Sequence, residues 1–530
     1  MNPGPHSEIV ITALNARFSH TSFSARYLLA NLGELQDRTG LMEFDLAISP
    51  RIAVEKVLAR NPRIVSIGCY IWNIGLATQV AALLKQIRPD VVLVLGGPEI
   101  SYETEQQEIF QYADYVICGE GEIEFPKLCK NILNLAQKRK DAKDTEKLGD
   151  LAAWRETKII KAEPVDVTQI ELPYNLYSEE DIAHRAIYVE ASRGCPFRCE
   201  YCMSSLDPCV RYFPQDRFLS AMGRLLDRGA RTFKFVDRSF NIDIAFALNI
   251  LTFFRERYVP GMMLHFEVIP DRLPDELMEA VKKCPPGMLQ FEIGIQTFNE
   301  EVAHRIQRPL NISKIETNMR RLREETGVHI HADLIAGLPG EDVESFEAGF
   351  NRLLELKPQE IQLGILKRLR GAPIDRHTRE WQMVYSPYAP YEILQTRLIP
   401  FEQMQRIQRF ARYWNLTVNN GHFIRTSPLI WKDAPSPFAA FMQWSDWLYI
   451  QTSTTGNLHL VRLAKLLMQF LTEERVMDEK AVATALWNDY QRANRPDVPG
   501  FLKKFGFEQS DTVRALSNAP LPRQARHIQD

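Results

Sequence analysis

The chain has 530 residues, 45% of them hydrophobic and 25% charged, an ordinary globular composition that excludes disordered and fibrous classes for the chain as a whole. Lysine and arginine number 64 against 67 acids, a net charge of −3, so there is no strong global field for coating a polyanion and nucleic acid is not an expected partner. At roughly 100–200 residues per domain, the length predicts about three domains.

Residues 1–145 alternate strand and helix signals, with candidate strands at 8–14, 44–49, 64–70, 91–97 and 115–119. Each is short and apolar, as strands buried on both faces of a parallel sheet must be. Ligands of such sheets bind beyond the carboxyl ends of the strands. Residues 15–22, 70–74, 96–101 and 119–122 occupy those ends. The charged stretch at 138–150 reads as solvated, and residues 146–180 as a linker. No apolar run reaches the ~18–20 residues of a membrane span. The N-terminus has no basic region ahead of an apolar stretch, so no signal peptide is expected and the protein reads as cytoplasmic, without a membrane partner.

Residues 181–372 resume the alternation, with candidate strands at 186–191, 232–237, 264–270, 289–297, 329–338 and 360–369. Several carry one polar face: Gln290, Glu292, Gly294 and Gln296; His265 and Glu267; His329, His331 and Asp333. A closed barrel of about eight strands fills its interior with branched apolar side chains. A polar lumen with six strands predicts instead an open, partial barrel around a polar ligand. Residues 373–530 read as mainly helical, with helices at 391–414 and 459–474 and with Trp444, Trp447 and Tyr449 in the core. The last ~16 residues read as a loose tail.

Cys195, Cys199 and Cys202 are spaced C-x3-C-x2-C directly after the first strand of the second unit. Three thiolates in one loop suit an iron–sulfur cluster. On a four-iron cluster they leave one iron open to a ligand. Structural zinc wants four ligands, and Cys209 lies outside the tight spacing. A disulfide oxidoreductase needs only C-x-x-C and has no use for Cys195.

The cysteine loop, with Tyr201 before its third cysteine, resembles the radical S-adenosylmethionine (SAM) enzymes. The segments LNARFSHTSFSARYL, IGCYIWNIG, LGGPEIS and CGEGEIEF resemble the cobalamin-binding branch of that superfamily, as do FVDRSFN, FEIGIQT and DLIAGLPGE in the second unit. The likeness covers about residues 8–370, and the remainder resembles an uncharacterised helical domain found in one branch. The implied fold is α/β: a Rossmann-like cobalamin domain, a partial (β/α)6 barrel and a mostly helical C-terminal domain.

The resemblance implies that Cys195, Cys199 and Cys202 hold a [4Fe–4S] cluster whose open iron chelates SAM. Tyr201 is then a candidate adenine contact. Asp237, Ser239, Asn241, Glu292, Gln296 and Asp333 are candidates for SAM or substrate. Cobalamin would lie against the strand-end loops bearing Asn15, His20, Tyr70, Trp72, Gly96, Gly97, Pro98, Glu120 and Gly121. The D-x-H-x-x-G segment that supplies a cobalt-ligating histidine in many cobalamin domains has no counterpart here, so cobalt is expected without a histidine ligand. His20 is the only candidate, and Tyr70 and Trp72 are expected near the lower face of the corrin.

The expected function is methylation of an unactivated carbon through a 5′-deoxyadenosyl radical and methylcobalamin, with an electron donor such as flavodoxin or ferredoxin. Two alternatives are a redox or rearrangement enzyme using cobalamin without methyl transfer, and a cobalamin or redox sensor without turnover.

Overall fold

The first strand, β1 (Ile9–Asn15), is buried along all but its last residue, as an interior parallel strand must be. It lies between β2 (Thr39–Asp45) and β3 (Ile64–Gly68), and the sheet continues through β4 (Val92–Gly96), β5 (Tyr115–Cys118) and β6 (Ile159–Lys161). All pairings are parallel, in the order β2-β1-β3-β4-β5-β6. The chain leaves β1 towards one edge and returns at β3 towards the other, which makes the β1/β3 crevice the topological switch point. The computed structural model describes residues 6–141, 158–456, 458–492, 498–507 and 523–527.

Two boundaries differ from the sequence reading. Strand β2 begins at Thr39, ahead of the expected 44–49. Strand β6 falls inside the expected linker, so the first unit runs past residue 145. A three-residue edge strand is too short to show a period. Most of the charged stretch at 138–150 lies outside the described residues.

The second unit begins with β7 (Ile187–Val189). A two-residue antiparallel clasp follows, β8 (Ser192–Arg193) on β9 (Arg211–Tyr212). Strands β10 (Thr232–Phe235), β11 (Met263–Val268), β12 (Leu289–Gln296), β13 (His329–Ala336) and β14 (Glu360–Ile365) complete a parallel sheet in the order β14-β13-β12-β11-β10-β7. Burial alternates residue by residue along β12. Its apolar face joins one core with helix residues such as Ile250, Leu277 and Met319. The expected open six-stranded barrel is therefore present.

The N-terminal unit reaches both edge strands of this barrel. His20 bridges to Ala186, just ahead of β7. Glu99 and Glu103, in the loop after β4, pair with Arg370 and Arg368, just after β14.

The C-terminal region is helical at Phe401–Trp414, Pro437–Thr452, Leu460–Gln469 and Glu479–Arg492. Trp414 and Trp444 are fully buried. Three expectations are corrected. Residues 391–400 are not helical: Ile393–Gln395 pairs with Val384–Tyr385, and Pro400 caps the helix that follows. Tyr449 is exposed, with the Arg409 guanidinium over its ring, and Trp447 is only half-buried. The tail is docked where it is described: Arg523 forks onto Glu360 at 2.5 and 3.0 Å, Gln524 donates to Gln290, and His527 packs edge-on against His329. These partners are distant in sequence and leave no local signature. No helix among the described residues is long and apolar enough to cross a membrane.

Candidate functional site

The cysteine loop is shaped by its two ends. Gly194 has φ +92°, and a Cβ there would lie 2.1 Å from the Cys209 carbonyl oxygen. Only glycine permits that approach. The Cys195 amide donates to the Asp207 carbonyl at 2.9 Å, and the β8–β9 clasp closes the loop. Cys195 and Cys199 are buried, Cys202 is partly buried, and all three are free thiols. Burial pushes the Cys195 thiol up, with Cys202 and Cys199 adding to it and Ser239 beside it opposing. Among the described residues no three His, Cys, Asp or Glu side chains converge on a single metal ion. The donor set is three thiols, the ligand chemistry of an iron–sulfur cluster.

Arg308 is the positive charge of this loop. Its Nη1 donates to Cys199 Sγ at 3.4 Å and its Nη2 to the Gly294 carbonyl. Burial opposes the guanidinium charge, but Tyr201, Cys199 and Cys202 outweigh it and raise its pKa. Tyr201 therefore lies against the thiols and Arg308. A lone arginine in a loop has no motif, and the sequence reading passed over it.

The lumen wall holds buried polar atoms that make no well-aligned hydrogen bond to protein, although His265 lies beside Glu292 and His331 beside Asp333. His265 Nε2, Gln296 Oε1, Arg308 Nε, His331 Nε2 and Asp333 Oδ1 are buried and accept or donate no hydrogen bond. Such orphans are costly in an empty protein and fit a polar ligand. His265 Nε2 lies 2.8 Å from Glu292 Oε2 but off hydrogen-bond alignment. Burial resists ionisation of Glu292, yet His265, Lys234 and His331 hold its carboxyl down to about 2. Burial pushes Asp333 well up, with Glu292 and Glu267 adding to it. Burial likewise pushes Glu267 up to about 7 against Arg238. Gln296 sits at φ +73°, where the β12–β13 register slips. The structure thus gathers Glu292, Gln296 and Asp333 as the sequence suggested.

Asp237 and Asn241, read from sequence as candidate SAM contacts, also make structural hydrogen bonds. Asp237 accepts from the Ala191 amide at 3.0 Å and from Ser192 Oγ at 2.6 Å, so it anchors the chain entering the cysteine loop. Asn241 donates to the Ile269 and Arg272 carbonyls and accepts from the Ile269 amide.

On the N-terminal unit, Tyr70 and Trp72 follow β3 at the switch point. Their rings stack at 4.4 Å, and Trp72 remains 48% exposed, a flat apolar platform. Gly96 ends β4 and Gly97 and Pro98 follow it, with Pro98 exposed. Gly97, at φ +102°, is fixed by the crossing of Cys69, whose carbonyl oxygen would lie 2.6 Å from a Cβ. The platform and the glycine turn beside it fit a broad planar ligand such as a corrin.

Other residues of this face are engaged elsewhere. Asn15 donates to Glu43 and to the His20 carbonyl. His20 turns to the barrel edge, 6.0 Å from the Tyr188 ring, and burial lowers its pKa, with Lys234 and Arg17 adding to it. Glu120 is forked by Arg211 at 2.9 Å, and Glu122 meets Arg193 at 2.7 Å, so the loop carrying Gly121 is tied to the β8–β9 clasp.

Comparisons with known proteins agree with this division. The radical SAM superfamily matches residues 189–353, the B12 binding domain residues 9–129, and a protein family of unknown function (DUF4080) residues 379–519. The 2-(S-pantetheinyl)-carbapenam-3-carboxylate methyltransferase of Streptantibioticus cattleyicolor is 24% identical over 59% of this chain and 48% of its own length. The cobalamin-dependent radical SAM methyltransferase TokK of Streptomyces tokunonensis is 25% identical over 58% and 47%. The chain thus spans about half the length of these curated relatives. Among solved structures, the fold is shared with OxsB holding aqua-cobalamin and SAM (TM-score 0.57, 14% identity, 96% of this chain and 82% of that one). It is shared also with TsrM of Kitasatospora setae holding cobalamin and a [4Fe–4S] cluster (TM-score 0.54, 16% identity, 71% and 75%).

Proposed function

We propose that this chain, in which a B12-binding domain precedes a radical SAM domain, is a cobalamin-dependent radical SAM methyltransferase that methylates an unactivated carbon. The observation that carries the reading is the meeting of three features at one site: a three-cysteine loop, a lumen of orphaned polar atoms, and an N-terminal domain whose strand-end loops reach both barrel edges. TokK and the carbapenam carboxylate enzyme, both methyltransferases by name, support the choice of methyl transfer.

When bound, the cluster and SAM supply a 5′-deoxyadenosyl radical, and the corrin supplies a transferable methyl group. The chain's own residues do the rest. Cys195, Cys199 and Cys202 hold the cluster, and Arg308 keeps positive charge against Cys199. Asp333, whose carboxyl burial pushes well up, and Glu292, whose carboxyl His265 helps hold down, are the two carboxyl groups the lumen offers to a polar ligand. Tyr70 and Trp72 present the platform for the corrin. The reductant comes from outside the chain.

The test is anaerobic reconstitution with iron, sulfide and hydroxocobalamin, then SAM and dithionite, with 5′-deoxyadenosine and S-adenosylhomocysteine both quantified. Formation of both supports methyl transfer. Deoxyadenosine alone overturns it in favour of redox or rearrangement chemistry.

A further inference from the structure

The twelve residues after β14 touch both halves of the site. Arg370 Nε lies 2.8 Å from Glu99 Oε1 and its Nη1 2.6 Å from Glu103 Oε2. Arg368 adds a second contact to Glu103 at 2.8 Å, and Tyr391 Oη donates to Glu99 at 2.9 Å. The Tyr102 ring packs directly on Gly371, where a Cβ would lie 2.5 Å from it. These partners belong to the loop after β4, the glycine turn of the B12-binding domain.

A few residues on, the same segment grips the cysteine loop. Glu200 stands between Cys199 and Tyr201 and is 1% exposed. Its carboxylate meets Arg376 at 2.5 Å and His377 Nε2 at 2.6 Å, and Gln307 donates to it at 2.6 Å. The Ile374 amide donates to its carbonyl at 2.9 Å. A buried carboxylate with this many donors is held in one place, and removing a donor leaves it costly.

We infer that Arg370 and the Arg376–His377 pair are positioning residues that couple the ligand face of the B12-binding domain to the seat of Cys199 and Cys202. The inference rests on the proposed function for the identity of the ligand, but the strap itself is made of side-chain contacts in this chain. The other half of the cysteine loop has a direct tie of its own, from Arg211 and Arg193 to Glu120 and Glu122. The strap therefore meets the loop at Glu200, within residues 199–205, and the direct tie meets it at Arg193 and Arg211.

Hydrogen–deuterium exchange of the full cluster-loaded chain, with and without hydroxocobalamin, reads the coupling without turnover. In the wild type, cobalamin slows exchange in the loop after β4 and, by about fivefold or more, in residues 199–205, the lower end of ordinary coupling between sites. In Arg370→Met the first effect persists and the second disappears, while protection near Arg193 and Arg211 is kept. Arg370→Lys, which keeps the charge but loses the fork, guards against misfolding and gives an intermediate loss. Equal protection of residues 199–205 in wild type and both variants overturns the strap. Absence of any cobalamin effect on the loop after β4 in the wild type overturns the coupling together with the proposed ligand. A wild type in which only the loop after β4 responds overturns the strap alone.

Discussion

Arg308 joins Cys199 to Gly294: one guanidinium nitrogen lies 3.4 Å from the sulfur, and another is hydrogen-bonded to the carbonyl at the bulge of β12. The cysteine loop and the lumen wall are thereby fixed to each other through one half-buried cation. Arg308→Lys keeps the charge and loses the fork. Iron content should be retained, while SAM cleavage falls about 10–100-fold, the usual cost of losing a residue that orients metal ligands. Iron analysis alongside deoxyadenosine formation checks this; an unchanged rate contradicts it.

The cysteines divide cleanly. Replacing Cys195, Cys199 or Cys202 by alanine should abolish cluster absorbance and SAM cleavage. Cys209→Ser should leave both intact, since Cys209 is exposed and it is its backbone carbonyl that meets Gly194. Gly194→Ala should cost about 1–3 kcal/mol of stability through backbone strain and close contact, read by denaturant unfolding.

Trp72→Ala should weaken hydroxocobalamin binding without changing iron content. A lost aromatic stack of about 0.5–1.5 kcal/mol corresponds to roughly a 2–13-fold rise in Kd. Equal binding would move the ligand away from the Tyr70–Trp72 platform.

The fold was legible wherever the chain is periodic. All six barrel strands, the polar face of Glu292 and Asp333, and the cysteine loop follow from alternation and spacing. What was not legible depends on partners far apart in sequence. Arg308 meets Cys199, Glu120 meets Arg211, and Arg523 meets Glu360, and none of these pairs has a local signature. Asp237 and Asn241 read as ligand contacts because turn chemistry and ligand chemistry use the same residue types. Their partners within the fold are visible only in the structure.

Glu341 predicts a pH dependence of stability. Burial pushes its carboxyl from the ordinary 4.5 up to about 7, with Asp342 adding to it and Thr297 and Ser345 opposing. Between those values the folded chain binds the proton and the unfolded chain does not. Its contribution is therefore full below about 4.5 and is lost as pH rises through about 7. The slope it adds is at most about 1.4 kcal/mol per pH unit. Glu341→Gln should flatten this stretch of a urea-stability profile; an unaltered slope contradicts the assignment.

Arg523→Ala should destabilise the chain by about 1–2 kcal/mol, because Glu360 is buried while Arg523 is partly exposed and its contribution is screened. Adding Glu360→Gln should recover part of the loss. Additive effects in the double-mutant cycle would show that the Arg523–Glu360 pair does not stabilise the chain.

The central claim is that one chain carries both cofactors, on facing domains. Elemental analysis of the gel-filtered, anaerobically reconstituted protein tests it most directly. About four irons per chain are expected, as a [4Fe–4S] cluster requires, together with about one cobalt. Full iron with no cobalt retained would contradict it and leave radical SAM chemistry without a cobalamin partner.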